Sequence, residues 1–149
     1  MLSQTVEYAL RAVVCLANAS PQAQTTGELS KVTQVPAAYL SKVMLGLTRA
    51  GIVRSQRGPN GGFTLVKPPD RLSLLEVVNA VDPVRRIRTC PLEIREHGTH
   101  LCPLHRRLDQ VIAMIESAFA ETSLADILGE TNGSVPLCTK GRRQLVPLK

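Results

Sequence analysis

A mainly α fold with a small β-wing is what this sequence predicts: a winged helix-turn-helix followed by a long C-terminal helix. Three observations predict it. The first is the order of patterns from Thr25 to Leu65, TTGELSKVTQVPAAYLSKVMLGLTRAGIVRSQRGPNGGFTL. Two short helical stretches are joined by a tight connection, then come a brief strand, a Gly-rich tip and a return strand. That order serves to set one helix into a DNA groove. The second is charge. From Leu29 to Pro69 there is no Asp or Glu but six Lys or Arg, namely Lys31, Lys42, Arg49, Arg54, Arg57 and Lys67. A surface that approaches phosphates carries carboxylates only at a cost. The third is the run that opens at Pro103, whose apolar residues recur at heptad-like spacing.

Each element follows from local signals. Ser3 is an N-cap for a helix over 4–18, with Leu10, Val13, Val14 and Ala17 at helical spacing. Thr26 caps a second helix with Leu29 and Val32 inward. Gln34-Val35-Pro36 is the turn, and Pro36 suits a helix start. The third helix spans 37–50, with Leu40, Val43, Leu47 and Ala50 on one face, and Gly51 stops it. Residues 52–55 and 63–66 are short strands around the tip Arg57-Gly58-Pro59-Asn60-Gly61-Gly62. Ser73 caps a helix over 74–81 with Leu75, Val78 and Val81 apolar, and Asp82-Pro83 ends it. After an irregular stretch the long helix runs over 104–121, with Leu104, Leu108, Val111, Ile112, Ile115 and Phe119 apolar. A last short helix covers 123–128.

These elements divide the chain into a DNA-binding domain at 1–83, a cysteine-containing loop at 84–103, a dimerisation helix region at 104–130 and a basic tail at 131–149. The tail has no acid and is read as flexible. The 149 residues carry a net charge of +6, which suits a polyanionic partner. With two Tyr, two Phe and no Trp, the core must be aliphatic. The N-terminal run is broken by Glu7 and Arg11, so it reads as an amphipathic helix rather than a signal peptide. No stretch approaches the roughly 18 apolar residues of a membrane span. The expected location is the cytoplasm, where four cysteines are more readily thiols or ligands than disulfides.

Between Cys90 and His105 lie Cys90, His97, His100, Cys102 and His105. Thiolate and imidazole are the side chains that bind zinc or cluster iron. Cys102 and His105 stand three apart at a helix start, within reach of one metal, although there is no C-x-x-C pair. Packed or surface thiols are the alternative. Cys15 falls on the apolar face of the first helix and reads as core. Cys138, in the tail, reads as an incidental thiol or one that pairs on oxidation. The candidate DNA-contacting residues are Thr26 in the second helix, Ala38, Tyr39, Ser41, Lys42 and Arg49 in the third, and Arg54, Arg57, Asn60 and Gly61 on the wing. The candidate dimer seam is Leu108, Val111, Ile112, Ile115 and Phe119.

With wing and cysteines placed, the chain resembles the IscR/NsrR-type (Rrf-type) winged-helix transcription regulators. The motifs that carry the resemblance are TVEYALRA (5–12), AYLSKV (38–43), L-x-RAGIV (47–53), RGPNGGF (57–63) and LLEVVNAVD (74–82). It covers roughly residues 1 to 128. The resemblance implies a homodimer that crosses long C-terminal helices, binds palindromic double-stranded operators, and in many members holds a 2Fe–2S or 4Fe–4S cluster as sensor. Cluster-binding members have three cysteines. Here Cys90 and Cys102 match the first and third, while Glu96 stands at the middle position. His105 matches a histidine ligand of one branch, and Glu7 an acidic ligand donated across the dimer in others. The implied metal set is therefore Cys90, Cys102, His105 and Glu7.

The reading that results is a homodimeric DNA-binding transcription regulator, not an enzyme. Its operator affinity would be switched by a labile 2Fe–2S cluster or by thiol redox state, or there would be no cofactor if the site is degenerate. A metal-dependent enzyme would need a general-base carboxylate over an open metal, and only Glu93 and Glu96 are near. A pure interaction module is disfavoured by the acid-free basic stretch.

Overall fold

The structure, a computed structural model, describes residues 2–97, 100–130 and 136. The tail and Cys138, apart from Pro136, lie outside the described residues. The elements run α1 (Gln4–Ala19), α2 (Thr26–Thr33), α3 (Ala37–Arg49), β1 (Val53–Gln56), β2 (Gly62–Leu65), α4 (Leu74–Val81), α5 (Pro103–Glu121) and α6 (Leu124–Gly129), with single 3₁₀ turns at Pro69–Arg71 and Arg95–His97. This is a winged helix, mostly helical with one two-stranded antiparallel sheet.

Helix α1 starts because the Ser3 side chain accepts the Val6 N–H. Its buried face is Val6, Ala9, Ala12, Val13, Val14, Cys15 and Leu16. Helix α2 starts one residue earlier than the sequence suggested. Thr25, not Thr26, is its cap, because Glu28 completes a capping box that only Thr25 can close. Leu29 is fully buried as expected, but Val32 is exposed, since Thr33 takes the inward position and bonds the Leu29 carbonyl. Gln34 turns the chain in the left-handed region (φ 60°), and buried Val35 pins the turn under the Ser30 hydroxyl.

Helix α3 buries Leu40, Val43, Met44 and Leu47. Ala50 is exposed rather than inward, because the helix is already ending there, with Gly51 at φ 72° just beyond. The wing strands sit within one residue of the expected positions. Their ladder runs Val53↔Leu65 to Gln56↔Gly62, so the hairpin closes tighter at the tip than expected. Gln24 exchanges both backbone hydrogen bonds with Phe63 (3.0 and 2.8 Å), tying the wing base to the α1–α2 loop. That approach explains Gly62: its φ is 139°, and a Cβ there would lie 2.6 Å from Gln24.

Helix α4, capped by Ser73 and Glu76, buries Leu74, Val77 and Val78 rather than the face centred on Leu75 and Val81. Leu75 and Val81 are half-buried. The shift follows from α4 packing on both α1 and α3. Helix α5 is about 28 Å long at 1.5 Å per residue and buries none of its residues completely. Beyond it the chain returns to the N-terminal half. Leu74 N–H donates to Thr122 O and Leu124 N–H to Leu72 O (2.9 and 2.8 Å), and Leu124 is fully buried among the core residues of α1, α3 and the wing base.

Candidate nucleic-acid interface and cysteine loop

The helix-turn-helix rests on a continuous aliphatic floor, with Leu16, Leu29, Leu40 and Leu47 all buried. Burying one such side chain is worth about 1.5–3 kcal/mol, so α3 is held rigidly with its other face outward. On that face Ala38, Tyr39, Ser41, Lys42, Leu45 and Arg49 are exposed. Leu45 was not singled out by sequence reasoning, although its i+4 spacing from Ser41 puts it on the same stripe. Arg54, Arg57 and Asn60 are exposed on the wing, Gly61 is half-buried, and Thr26 is half-buried in the first turn of α2. Gly61 closes the tip by bonding Gly58 O at 2.9 Å, and a Cβ there would lie 2.5 Å from Gln56 O.

Charge on this face is uncompensated. Among the described residues, Lys42, Arg49, Arg54 and Arg57 take part in no ion pair. Arg54 donates only to the Thr64 hydroxyl across the ladder, at 3.2 Å. Lys67 is the exception among the bases of the acid-free stretch: it pairs with Glu76 of α4. Such an array of unpaired cations beside a protruding helix is what counterion release from a duplex requires.

Behind α3, three α1 side chains form a linked group. Arg11 pairs with Glu7 at 2.6 Å, donates to Thr33 O at 3.0 Å, and lies 5.8 Å from the Tyr8 ring centroid. Tyr8 meets Tyr39 edge-on, with centroids 6.5 Å apart. Glu7 therefore lies on the exposed side of α1 beside a cation. It does not interrupt the apolar face.

The cysteine loop wraps around Cys90. Glu93 adopts φ 52° and its N–H returns to Cys90 O at 3.0 Å. The turn directs the Ile94 amide, the His97 side chain and the Leu92 amide at the sulfur, which together hold the thiol below its ordinary value. Backbone N–H groups converging in this way favour an anion. Cys90 is buried, at the edge of a 210 Å³ cavity lined by Thr89, Cys90, Glu93, Ile94 and Arg95. His97 Nδ1 is buried without a hydrogen-bond partner. Cys102, at the α5 N-cap, has its sulfur 3.2 Å from His105 Nδ1.

The structure thus brings the candidates together as two Cys–His pairs. Cys90 with His97 was not chosen from sequence, because nothing in spacing separates His97 from His100. Cys102 with His105 was. Among the described residues no group of three or more His, Cys, Asp or Glu stands close enough to hold a metal ion. As arranged in one chain, the described donors do not by themselves fit a four-ligand cluster.

The apolar stripe of α5 divides in two. Ile112, Ile115 and Phe119 line a 770 Å³ groove with Leu2, Val6 and Val78. Leu108, Val111 and Met114 stay 46%, 55% and 72% exposed. No described helix is long and apolar enough to cross a membrane.

Residues 2–130 match the Rrf2 family model, described as an iron-dependent transcriptional regulator. An HTH-type transcriptional regulator of Aquifex aeolicus is 30% identical over 131 residues, covering 86% of this chain and 91% of its own. Among solved structures, T. potens IscR superposes with a TM-score of 0.71 at 19% identity, over 86% of this chain and 85% of its own. CymR, the global cysteine regulator of B. subtilis, does so with a TM-score of 0.69 at 18% identity, over 85% and 95%. At such identities these two likenesses speak to the fold alone.

Proposed function

The chain belongs to the Rrf2 family of transcriptional regulators, and from that premise we propose a homodimer that grips a palindromic double-stranded operator and is switched at its cysteine loop. The observation that carries the DNA reading is the exposed, acid-free face of α3 and the wing, with Lys42, Arg49, Arg54 and Arg57 unpaired among the described residues. Helix α3 enters the major groove with Tyr39, Ser41 and Lys42 toward base edges and phosphates. Arg57 and Asn60 reach phosphate or the adjacent minor groove.

The dimer reading rests on α5. Leu108, Val111 and Met114 together leave an apolar ridge in water, and a second copy of the same ridge would cover it. Two wings then address half-sites about one helical turn apart.

For the switch, the observation favouring thiol chemistry is the nest around Cys90, which favours thiolate at a buried sulfur on the edge of a cavity. The observation favouring a cluster is the donor chemistry: Cys102 stands beside His105, and Cys90 is a second thiol of the same loop. In that reading Cys90, Cys102 and His105, with Glu7 of the partner subunit, would be the ligands, and the cluster would supply one-electron redox chemistry. Anaerobic reconstitution with iron and sulfide separates the two. Iron uptake above that of a Cys90→Ser, Cys102→Ser double variant, with absorption above about 400 nm, supports the cluster. Equal uptake leaves the thiol switch, which oxidation of wild type but not of the double variant should reveal as altered operator binding. The regulator as a whole is tested by its salt dependence: log affinity must fall linearly with log salt.

A further inference from the structure

Tyr39, in the first turn of α3, is 58% exposed, on the helix that this reading sets into the groove. A tyrosine so exposed has several rotamers open to it, and holding one of them in advance lowers the entropy lost on binding. The structure supplies a holder. Tyr8, half-buried on α1, presents its ring to Tyr39 in an edge contact with centroids 6.5 Å apart and planes at 63°. Arg11 in turn stands over Tyr8 and fastens α1 to the C-terminal carbonyl end of α2 through Thr33 O at 3.0 Å. A cation at a helix C-terminus is favourable in itself, so this anchor is set before DNA arrives. Glu7, bonded to Arg11 at 2.6 Å, orients the guanidinium. The group spans α1, the end of α2 and the start of α3, the three places that fix how α3 leaves the domain.

We infer that Tyr8, held by Arg11, is a positioning residue that presets Tyr39 for contact with the operator, without itself touching DNA. The inference rests on the reading of α3 as the recognition helix. An edge-on aromatic pair adds modestly to what burial gives, so the expected effect is a few-fold change in affinity.

The test uses the full chain and a duplex selected by it from a random-sequence pool. Tyr8→Leu should bind that duplex about 3- to 10-fold more weakly, with the salt slope and the affinity for random duplex unchanged. A general loss of folding would move all three. Tyr8→Phe keeps the ring and should bind within about twofold of wild type. Tyr39→Ala should weaken binding by itself, and adding Tyr8→Leu to it should weaken binding no further. Arg11→Ala approaches the same contact from the surface and should repeat the Tyr8→Leu phenotype if Tyr8→Leu does not fold. Wild-type affinity in either folded variant, or additive losses in the double variant, overturns the inference. Wild-type affinity of Tyr39→Ala overturns instead the placement of this end of α3 on DNA.

Discussion

Arg86 and Asp109, 23 residues apart in the chain, meet as a two-pronged ion pair, with Nε on Oδ1 at 2.7 Å and Nη2 on Oδ2 at 2.6 Å. Asp109 also accepts the Ile87 N–H at 2.8 Å, and Arg86 reaches Glu116 two turns along α5. The start of the linker is thereby clamped to the long helix. Fork-to-carboxylate geometry is among the strongest surface pairings available. The Arg86 hydrogen bond, first, and the Ile87 amide hold the Asp109 carboxyl down at about 2, against an ordinary 3.8.

That shift predicts an acid dependence. A carboxyl whose value is lowered on folding stabilises the fold above its unfolded value and loses that contribution as pH falls. Asp109→Asn should therefore melt below wild type at neutral pH. The gap should close as pH drops from about 4 toward 2. Thermal melts across that range check it; a gap independent of pH would mean the clamp contributes through shape rather than charge.

On the wing, Arg57→Ala should cost about 1–3 kcal/mol of operator affinity if Arg57 contacts a base, with relaxed preference at that position. A smaller loss, uniform across sequences, marks a phosphate contact. Unchanged affinity and salt slope take Arg57 out of the interface.

Gly62 gives a stability prediction. Its φ of 139° and the backbone of Gln24 behind it leave no room for a side chain. Gly62→Ala should cost roughly 1–3 kcal/mol, visible as a lowered denaturant midpoint, whereas Gly129→Ala, with open space around it, should change little.

For assembly, Ile115→Asp would set a charge in the groove it shares with Phe119 and beside the exposed ridge of α5. The expected result is a monomer with weak operator binding. Light scattering at micromolar concentration reads it, and a dimer that survives would move the interface off this face.

How much of this was legible in the sequence depends on the range of the interaction. Ser3, Ser73 and Ser123 were readable as helix boundaries because a cap acts over three residues. The misplacement of the α2 cap has the same origin: adjacent threonines compete, and only the reach of Glu28 decides between them. Val13 and Val14 of α1 and Leu40, Val43 and Leu47 of α3 were readable as inward from period, but exposed Ala50 and Val32 and the α4 face were not, because helix ends and neighbours distant in sequence set which apolar residue is covered. At the candidate site, spacing alone paired Cys102 with His105. The nest at Cys90, the Arg86 clamp and the Tyr8–Tyr39 contact depend on tertiary proximity that no local pattern encodes.

The return of the chain after α5 makes the long helix a strap buckled at both ends: Arg86 holds its beginning, and the Ser73–Ser123 bridge with Leu124 holds its finish. A fragment ending near residue 83 would leave a leucine-sized hole in its own core. The winged part is thus not a detachable reading head, and a shift at the cysteine loop, which lies between clamp and strap, has no slack into which to dissipate before it reaches α4 and the helices that α4 supports.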